Sequence, residues 1–289
     1  NRSKEEKEAE KKEKAHIKEK YGFALVDGKK QPIGAYQIEP SGIYMTRGEH
    51  PLLGMWKYAP TPETVIINCS SNPPAPPKGH HWKKVVCNQN SFSPYSFLMN
   101  AGNTKLKQKR ITFSYASDIG ANADEHKFDV ALQLYKNWND IQNYIADAYN
   151  QNDDDTLKQC GLIAWLIQNT SIRIGHDKNE DVSAHTVGAS TLQKENIDII
   201  KNNDNTYTLS LHFIGKDSIK YNNSFVFNDK QVATSLLKLL SSKKEGEKVF
   251  HVSANDVNMF LQKKLPEVSV KMFRPASGTH IMVEQLIKE

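Results

Sequence analysis

Cysteine is scarce in this chain of 289 residues: only Cys69, Cys87 and Cys160 occur, odd in number and far apart. Without a CxxC pair they argue against a disulfide scaffold and a thiolate zinc site, and a reducing compartment fits them better. No apolar run approaches the roughly 20 residues that span a bilayer; "GLIAWLI" (161–167) reads instead as the buried face of a helix. A secretory signal is missing too, because the first residues are charged where an apolar stretch would be required. The acidic clusters "DDD" (153–155) and "KNED" (178–181) lack metal-ligand spacing. One-sided charge is also absent: 38 Lys and Arg face 33 Asp and Glu, a net +5 that permits an anionic partner without demanding one. The chain opens on Asn1, not Met, and so reads as a fragment or a processed product.

What is present divides into three stretches. Residues 1–20 are nearly all charged, with Glu8–Lys12 and Glu10–Lys14 in the favourable order for a solvated helix that serves as a linker or arm. Residues 21–104 predict a β-rich lobe: "GFALVDGK" and "ETVIINC" read as short strands, and "NPPAPPKGHHW" (72–82) as a polyproline-like connector. "KLKQKR" (105–110) reads as a basic hinge, and residues 105–289 as a mostly helical lobe with a β-hairpin. There, Phe128, Ala131, Leu134, Trp138, Ile141 and Ile145 recur at helical steps and predict one long helix. A central apolar helix follows over about 155–174. Tyr207, Leu209, Leu211 and Phe213 alternate with polar residues as a half-buried strand. Two amphipathic helices are expected to close the chain, one through Val232, Leu236, Leu239 and Leu240, the other starting at Ser253 with Asp256 as a capping pair. The fold class is therefore α+β.

Three cations stand in unusual settings. Arg173 sits at the far end of the apolar helix, Lys216 at the tip of a Gly-Lys-Asp-Ser turn, and Arg274 just before a Pro that suits the first turn of a helix. Taken singly, each is explained by a salt bridge or a solvated side chain. Taken together they match the needs of phosphodiester chemistry: planar Arg donors clamp charge on non-bridging oxygens, and a Lys ammonium protonates a departing alkoxide. Such a site requires no metal.

Five stretches carry a family resemblance, in order along nearly the whole chain. They are "YGFALVDGKKQPIGAYQIEPSGIYMTRGEHP", "PPKGHHWKKV", "SIRIGHDKNEDVSAHTVGASTL", "FIGKDSIKY" and "VKMFRPASGTHIMVEQL". The chain resembles the core of the eukaryotic-type (type IB) DNA topoisomerase I family, isomerases that relax supercoils through a protein–DNA phosphotyrosine bond. The resemblance implies catalytic roles for Arg173 and Arg274, on the pentacoordinate phosphorus, and for Lys216, as the general acid toward the 5′-hydroxyl. It implies DNA contacts by Asp217 at the same tip, by Arg47 and His50 in "TRGEHP", and by Lys83 and Lys84. It also implies two lobes that form part of a clamp on duplex DNA, and a nuclear location, or a viral or other intracellular one outside eukaryotic genomes. No membrane is involved.

Departures from the family pattern accompany these matches. Met45 stands where many relatives have an Arg, His185 replaces an Asp, and Ala189-Ser190 replace a Cys pair in what reads as a packing change. Pro-Ala-Ser follows Arg274 in place of Thr-Tyr-Asn, and Pro275 biases Arg274 toward an extended residue just before a helix. None of the eleven tyrosines lies in a Ser-Lys-x-x-Tyr-like setting, and Tyr221 reads as a sheet residue. The nucleophile is then expected from a downstream or separate Tyr-bearing C-terminal domain, without which this chain binds DNA and does not cut it. The competing readings are a DNA clamp that has lost catalysis, a tyrosine recombinase, and a basic scaffold without nucleic acid.

Overall fold

The computed structural model describes residues 3–89, 91–102, 104–150, 154–177 and 183–288. Residue 153 and the cluster 178–181 lie outside them. The described chain forms two compact units, residues 1–46 with 52–126 and residues 47–51 with 127–289.

The first unit opens with α1 (Lys4–Tyr21), which buries nothing. Its stability comes from its ends and its charges: Ser3 and Glu6 form a reciprocal capping box, and Lys14 pairs with Glu10 at 2.6 Å. Next, β1 (Phe23–Val26) and β2 (Lys29–Pro32) form a hairpin around Asp27-Gly28, both at positive φ as a tight Asp-Gly turn requires. The main sheet holds β3 (Gly42–Ile43), β4 (Trp56–Tyr58), β5 (Val65–Asn68), β6 (Lys84–Val86), β7 (Tyr95–Ala101) and β8 (Thr104–Ile111). β7 is its spine, pairing antiparallel with β8 and with both β4 and β5; β6 adds parallel to β5 at the margin. The buried cluster of this sheet is small: Val65, Ile67, Phe97 and Ile111, with Trp82 and Tyr95 packed against it. The basic run 105–110, expected as a hinge, is instead part of β8, held by a ladder to β7.

The expected single helix, which begins in the first unit and continues in the second, is interrupted. α2 (Asp118–Lys136) and α3 (Trp138–Asn150) are separated at Asn137, whose side-chain amide donates to the carbonyl of Gln133 at 2.9 Å. The interruption is slight: the N–H of Asn137 still donates to Gln133 O at 3.1 Å, and that of Ile141 to Asn137 O at 3.0 Å. Of the residues expected on the buried face, Ala131 and Leu134 are buried there and Phe128 is 55% exposed; Val130 is buried in addition.

α4 (Asp155–Thr170) is the central helix, with Leu162, Ile163, Ala164 and Leu166 fully buried. It ends at Ser171 in the left-handed conformation (φ 53°), so Arg173 lies beyond the helix and not in its last turn. β9 (Ile197–Lys201), β10 (Tyr207–Ile214) and β11 (Lys220–Phe227) form an antiparallel sheet in the order β11-β10-β9. α5 (Lys230–Ser241) is capped by Asp229, and α6 (Ala254–Gln262) by the Ser253–Asp256 box expected from the sequence. A further helix, α7 (Phe273–Lys288), follows the two that were expected to close the chain. Among the described residues no helix is long and apolar enough to cross a membrane.

Candidate active site

Arg173 is held through its backbone. After α4, buried Ile172 anchors the chain, and the exposed Arg173 follows. Residues 187–190 return alongside: the N–H of Ala189 donates to Arg173 O at 2.8 Å, and that of Ser190 to Ile174 O at 2.7 Å. The Ser190 hydroxyl adds a bond to Ile174 O at 2.9 Å, while Ala189 is fully buried, so these two departures from the family pattern fill and fasten this contact. The two backbones approach so closely that a Cβ on Gly188 would lie 2.6 Å from Arg173 O. Only glycine fits there. The same segment also reaches the hairpin, where the N–H of Val187 donates to Ile214 O at 2.8 Å. One short stretch thus couples the backbone of Arg173 to the strand that leads into Lys216.

Lys216 and Asp217 lie exposed on the turn between β10 and β11, at the hairpin tip expected from the alternation. Arg47 is exposed and His50 half-buried in the segment 47–51, which groups with this second unit.

Arg274 lies inside the first turn of α7, not in an extended residue before it. Pro275 is accommodated because the first N–H groups of a helix have no partner within it. Partial burial, followed by the nearby Arg173 guanidinium, holds the Arg274 pKa below the usual arginine range, while Tyr221 opposes the shift. Among the described residues neither guanidinium has an ion-pair partner. Two like charges within electrostatic reach and without a carboxylate favour an anion between them.

Tyr221 belongs to β11 as expected, and it has a second position that its sequence setting did not signal. Its ring stacks on Phe213 (4.9 Å, 18°) and its hydroxyl donates to Thr170 O at 3.3 Å, three residues before Arg173. Burial raises its pKa, with the Asn223 side chain and Arg274 pulling the other way. A phenol held in this way is a neutral support and not a ready nucleophile.

Lys83 and Lys84 belong to the first unit. Both are exposed, at the start of the marginal strand β6, and the N–H of Lys83 donates to Val65 O at 2.9 Å. Behind them the connector 72–82 is pinned by the Trp82 indole N–H, which donates to Pro74 O at 2.6 Å, and by His80 against Glu63 at 2.9 Å.

Comparison with known proteins gives two family matches: residues 104–289 to the catalytic core of eukaryotic DNA topoisomerase I, and residues 1–107 to its DNA binding fragment. Human DNA topoisomerase 1 is 31% identical over 292 residues, covering 99% of this chain and 37% of the relative. The Drosophila melanogaster protein of the same name is 31% identical over 288 residues (98% and 29%), and human mitochondrial DNA topoisomerase I is 29% identical over 288 residues (98% and 47%). The chain therefore spans less than half the length of these curated relatives.

Proposed function

Since this chain belongs to the eukaryotic DNA topoisomerase I family, we propose that it binds duplex DNA and supplies three cations to single-strand transesterification. A tyrosine hydroxyl from a C-terminal segment, downstream or separate, gives up its proton to solvent as its oxygen attacks a backbone phosphorus and forms a 3′-phosphotyrosine. Arg173 and Arg274 hold the non-bridging oxygens as charge builds on them. The bond to the 5′ oxygen breaks, and the Lys216 ammonium gives that oxygen its proton. Reversal restores the strand after the free end has rotated, with no ATP hydrolysis. Arg47, His50, Asp217, Lys83 and Lys84 contact the duplex, and the nucleus is the compartment in which it does so.

The observation that carries this reading is the pair of arginines, close enough for the charge of Arg173 to act on Arg274 and without a carboxylate partner among the described residues, beside the hairpin that bears an exposed Lys216. A purely structural arginine pair would be expected to recruit an acid. The hairpin suits its task, because a narrow tip enters a minor groove only about 6 Å wide where a helix would not.

The test mixes the chain with a Tyr-bearing C-terminal segment and follows relaxation of a supercoiled plasmid. Relaxation is expected, and Lys216→Ala is expected to slow strand cleavage by about a hundredfold while leaving noncovalent binding nearly intact. Binding should weaken steeply and log-linearly with salt. Binding without cleavage by a folded pair would favour the clamp that has lost catalysis. Equal loss of binding and cleavage in Lys216→Ala would make that residue a DNA contact only.

A further inference from the structure

β10 and β11 close on a three-residue tip. The N–H of Gly215 donates to Ile219 O at 2.8 Å, leaving Lys216, Asp217 and Ser218 in the loop, across which the N–H of Ser218 donates back to Gly215 O at 3.1 Å. Hairpin loops of this length commonly place one residue, usually glycine, in the left-handed region. Here two successive residues with side chains, Asp217 (φ 63°) and Ser218 (φ 58°), adopt it. Crowding at Cβ disfavours that conformation, and it persists where surrounding contacts impose it.

The contacts come from the segment 47–51, which groups with the second unit. The Ser218 hydroxyl donates to the carbonyl of Arg47 at 3.1 Å. Gly48, itself at φ +66°, lies against the same side chain: a Cβ built on Gly48 would overlap both Cβ and Oγ of Ser218. Gly48 is therefore required twice, for its backbone conformation and for the space it leaves.

We propose that Gly48 and Ser218 form a latch that fixes the strained hairpin tip and so aims Lys216. Both are positioning residues that act through Lys216, and the proposal rests on the reading of Lys216 as the acid. A lysine has a long, flexible stem, so the direction of its Cα–Cβ bond decides which atom its ammonium reaches. The latch sets that direction in the two residues that follow Lys216.

Two measurements test it. Hydrogen exchange at 215–219 in the chain alone reads the latch itself, and single-turnover cleavage with the Tyr-bearing segment reads its consequence. Gly48→Ala should speed exchange and lower the cleavage rate by about tenfold or more, since small misplacements of a catalytic group have effects of that size. Duplex affinity should stay within about twofold, because phosphate contacts elsewhere dominate it. Adding Ser218→Gly removes the overlapped side chain and should recover most of the loss. Ser218→Ala, which adds no atoms and serves if Gly48→Ala does not fold, should slow cleavage about threefold through one lost exposed hydrogen bond.

A substrate with sulfur as the bridging 5′ atom gives a readout that a merely structural role would not move. The departing thiolate needs no proton, so the latch variants should cleave it at the unaltered chain's rate. Unchanged exchange in Gly48→Ala or Ser218→Ala, no recovery in the double variant, or equal losses on both substrates would overturn the latch. Altered exchange with no cleavage by the unaltered pair would instead overturn the topoisomerase reading.

Discussion

The two compact units are held together differently. The second is built around α4, with a continuous buried cluster from Val130 to Ala276 that includes Leu162, Ile163, Leu209, Val232 and Phe273. The first has, among the described residues, a buried apolar cluster of only four, all in one sheet, and leaves Ile43 and Trp56, a directly opposed cross-strand pair, about half exposed. The proposed reacting cations stand on the rim of the deep core, while Lys83 and Lys84 stand at the margin of the shallow one. The difference follows from what each task tolerates. A group that meets a reacting atom must be held to a fraction of an ångström, whereas phosphate attraction falls off gently and forgives small displacements.

The largest test of that contrast is a cavity in each core. Leu162→Ala removes a fully buried side chain from α4 and should cost the second unit about 3–5 kcal/mol, the upper part of the range for such changes. Ile67→Ala in β5 should cost the first unit nearer about 2 kcal/mol, because a side chain at a shallow core leaves less trapped volume. Thermal unfolding followed at Trp138 and Trp165 for the second unit, and at Trp56 and Trp82 for the first, separates the two. Equal destabilisation would mean that both cores pack alike and that the contrast is one of size only.

How far the sequence discloses these cores depends on whether the signal is local. The hairpin of β10 and β11 was legible because Leu209 and Leu211 alternate with polar residues. The start of α6 was legible because Ser253 and Asp256 form their box within one turn. The break at Asn137 was not, since the apolar spacing runs on across it and backbone bonds to Gln133 and from Ile141 continue through it. β8 was hidden because Lys105, Lys107 and Lys109 alternate with the mostly polar set Leu106, Gln108 and Arg110, a pattern with no apolar face; its partner β7 supplies the order, and strand preference depends on such neighbours. At the candidate site, Arg173, Lys216 and Arg274 were named from chemistry and family resemblance. The approach of Gly188 to Arg173, and the seat of Ser218 under Gly48, join residues far apart in the chain and have no local signature.

A smaller effect concerns acid. Glu63, in the first unit, accepts its own backbone N–H and bonds His80 and Thr61, which together hold its pKa down to about 2. Its folded value lies below the ordinary 4.5, so the stabilisation is present above pH 4.5 and is lost as pH falls toward about 2. In the second unit, the backbone N–H and hydroxyl of Ser253 lower the Asp256 pKa in the same direction. Glu63→Gln should flatten the acid side of the first unit's stability profile, measured as denaturation midpoint against pH. Asp256→Asn should do less to the second unit, whose core carries more of its stability. A steeper acid dependence in Glu63→Gln would mean that the carboxylate at position 63 opposes folding above pH 4.5 instead of supporting it.

The finest comparison uses the thiols as probes. Cys160 lies in the α4 core at 2% exposure, and burial, with Asp256 and Asp154 nearby, pushes its pKa up to about 12. Cys87 is exposed in the first unit, and Cys69 is half-buried there, with its thiol donating to Ser71 O at 2.8 Å. Alkylation needs the thiolate and access to it, so at about pH 8 Cys87 should react first, Cys69 more slowly and Cys160 last. Denaturant should raise labelling of Cys69 before that of Cys160, because a shallow core opens at a lower free energy than a deep one. Mass spectrometry of each cysteine peptide reads the order directly. If Cys160 reacts in native buffer as fast as Cys69, the core that carries the three cations opens as readily as the sheet, and rigidity is not what separates the two units.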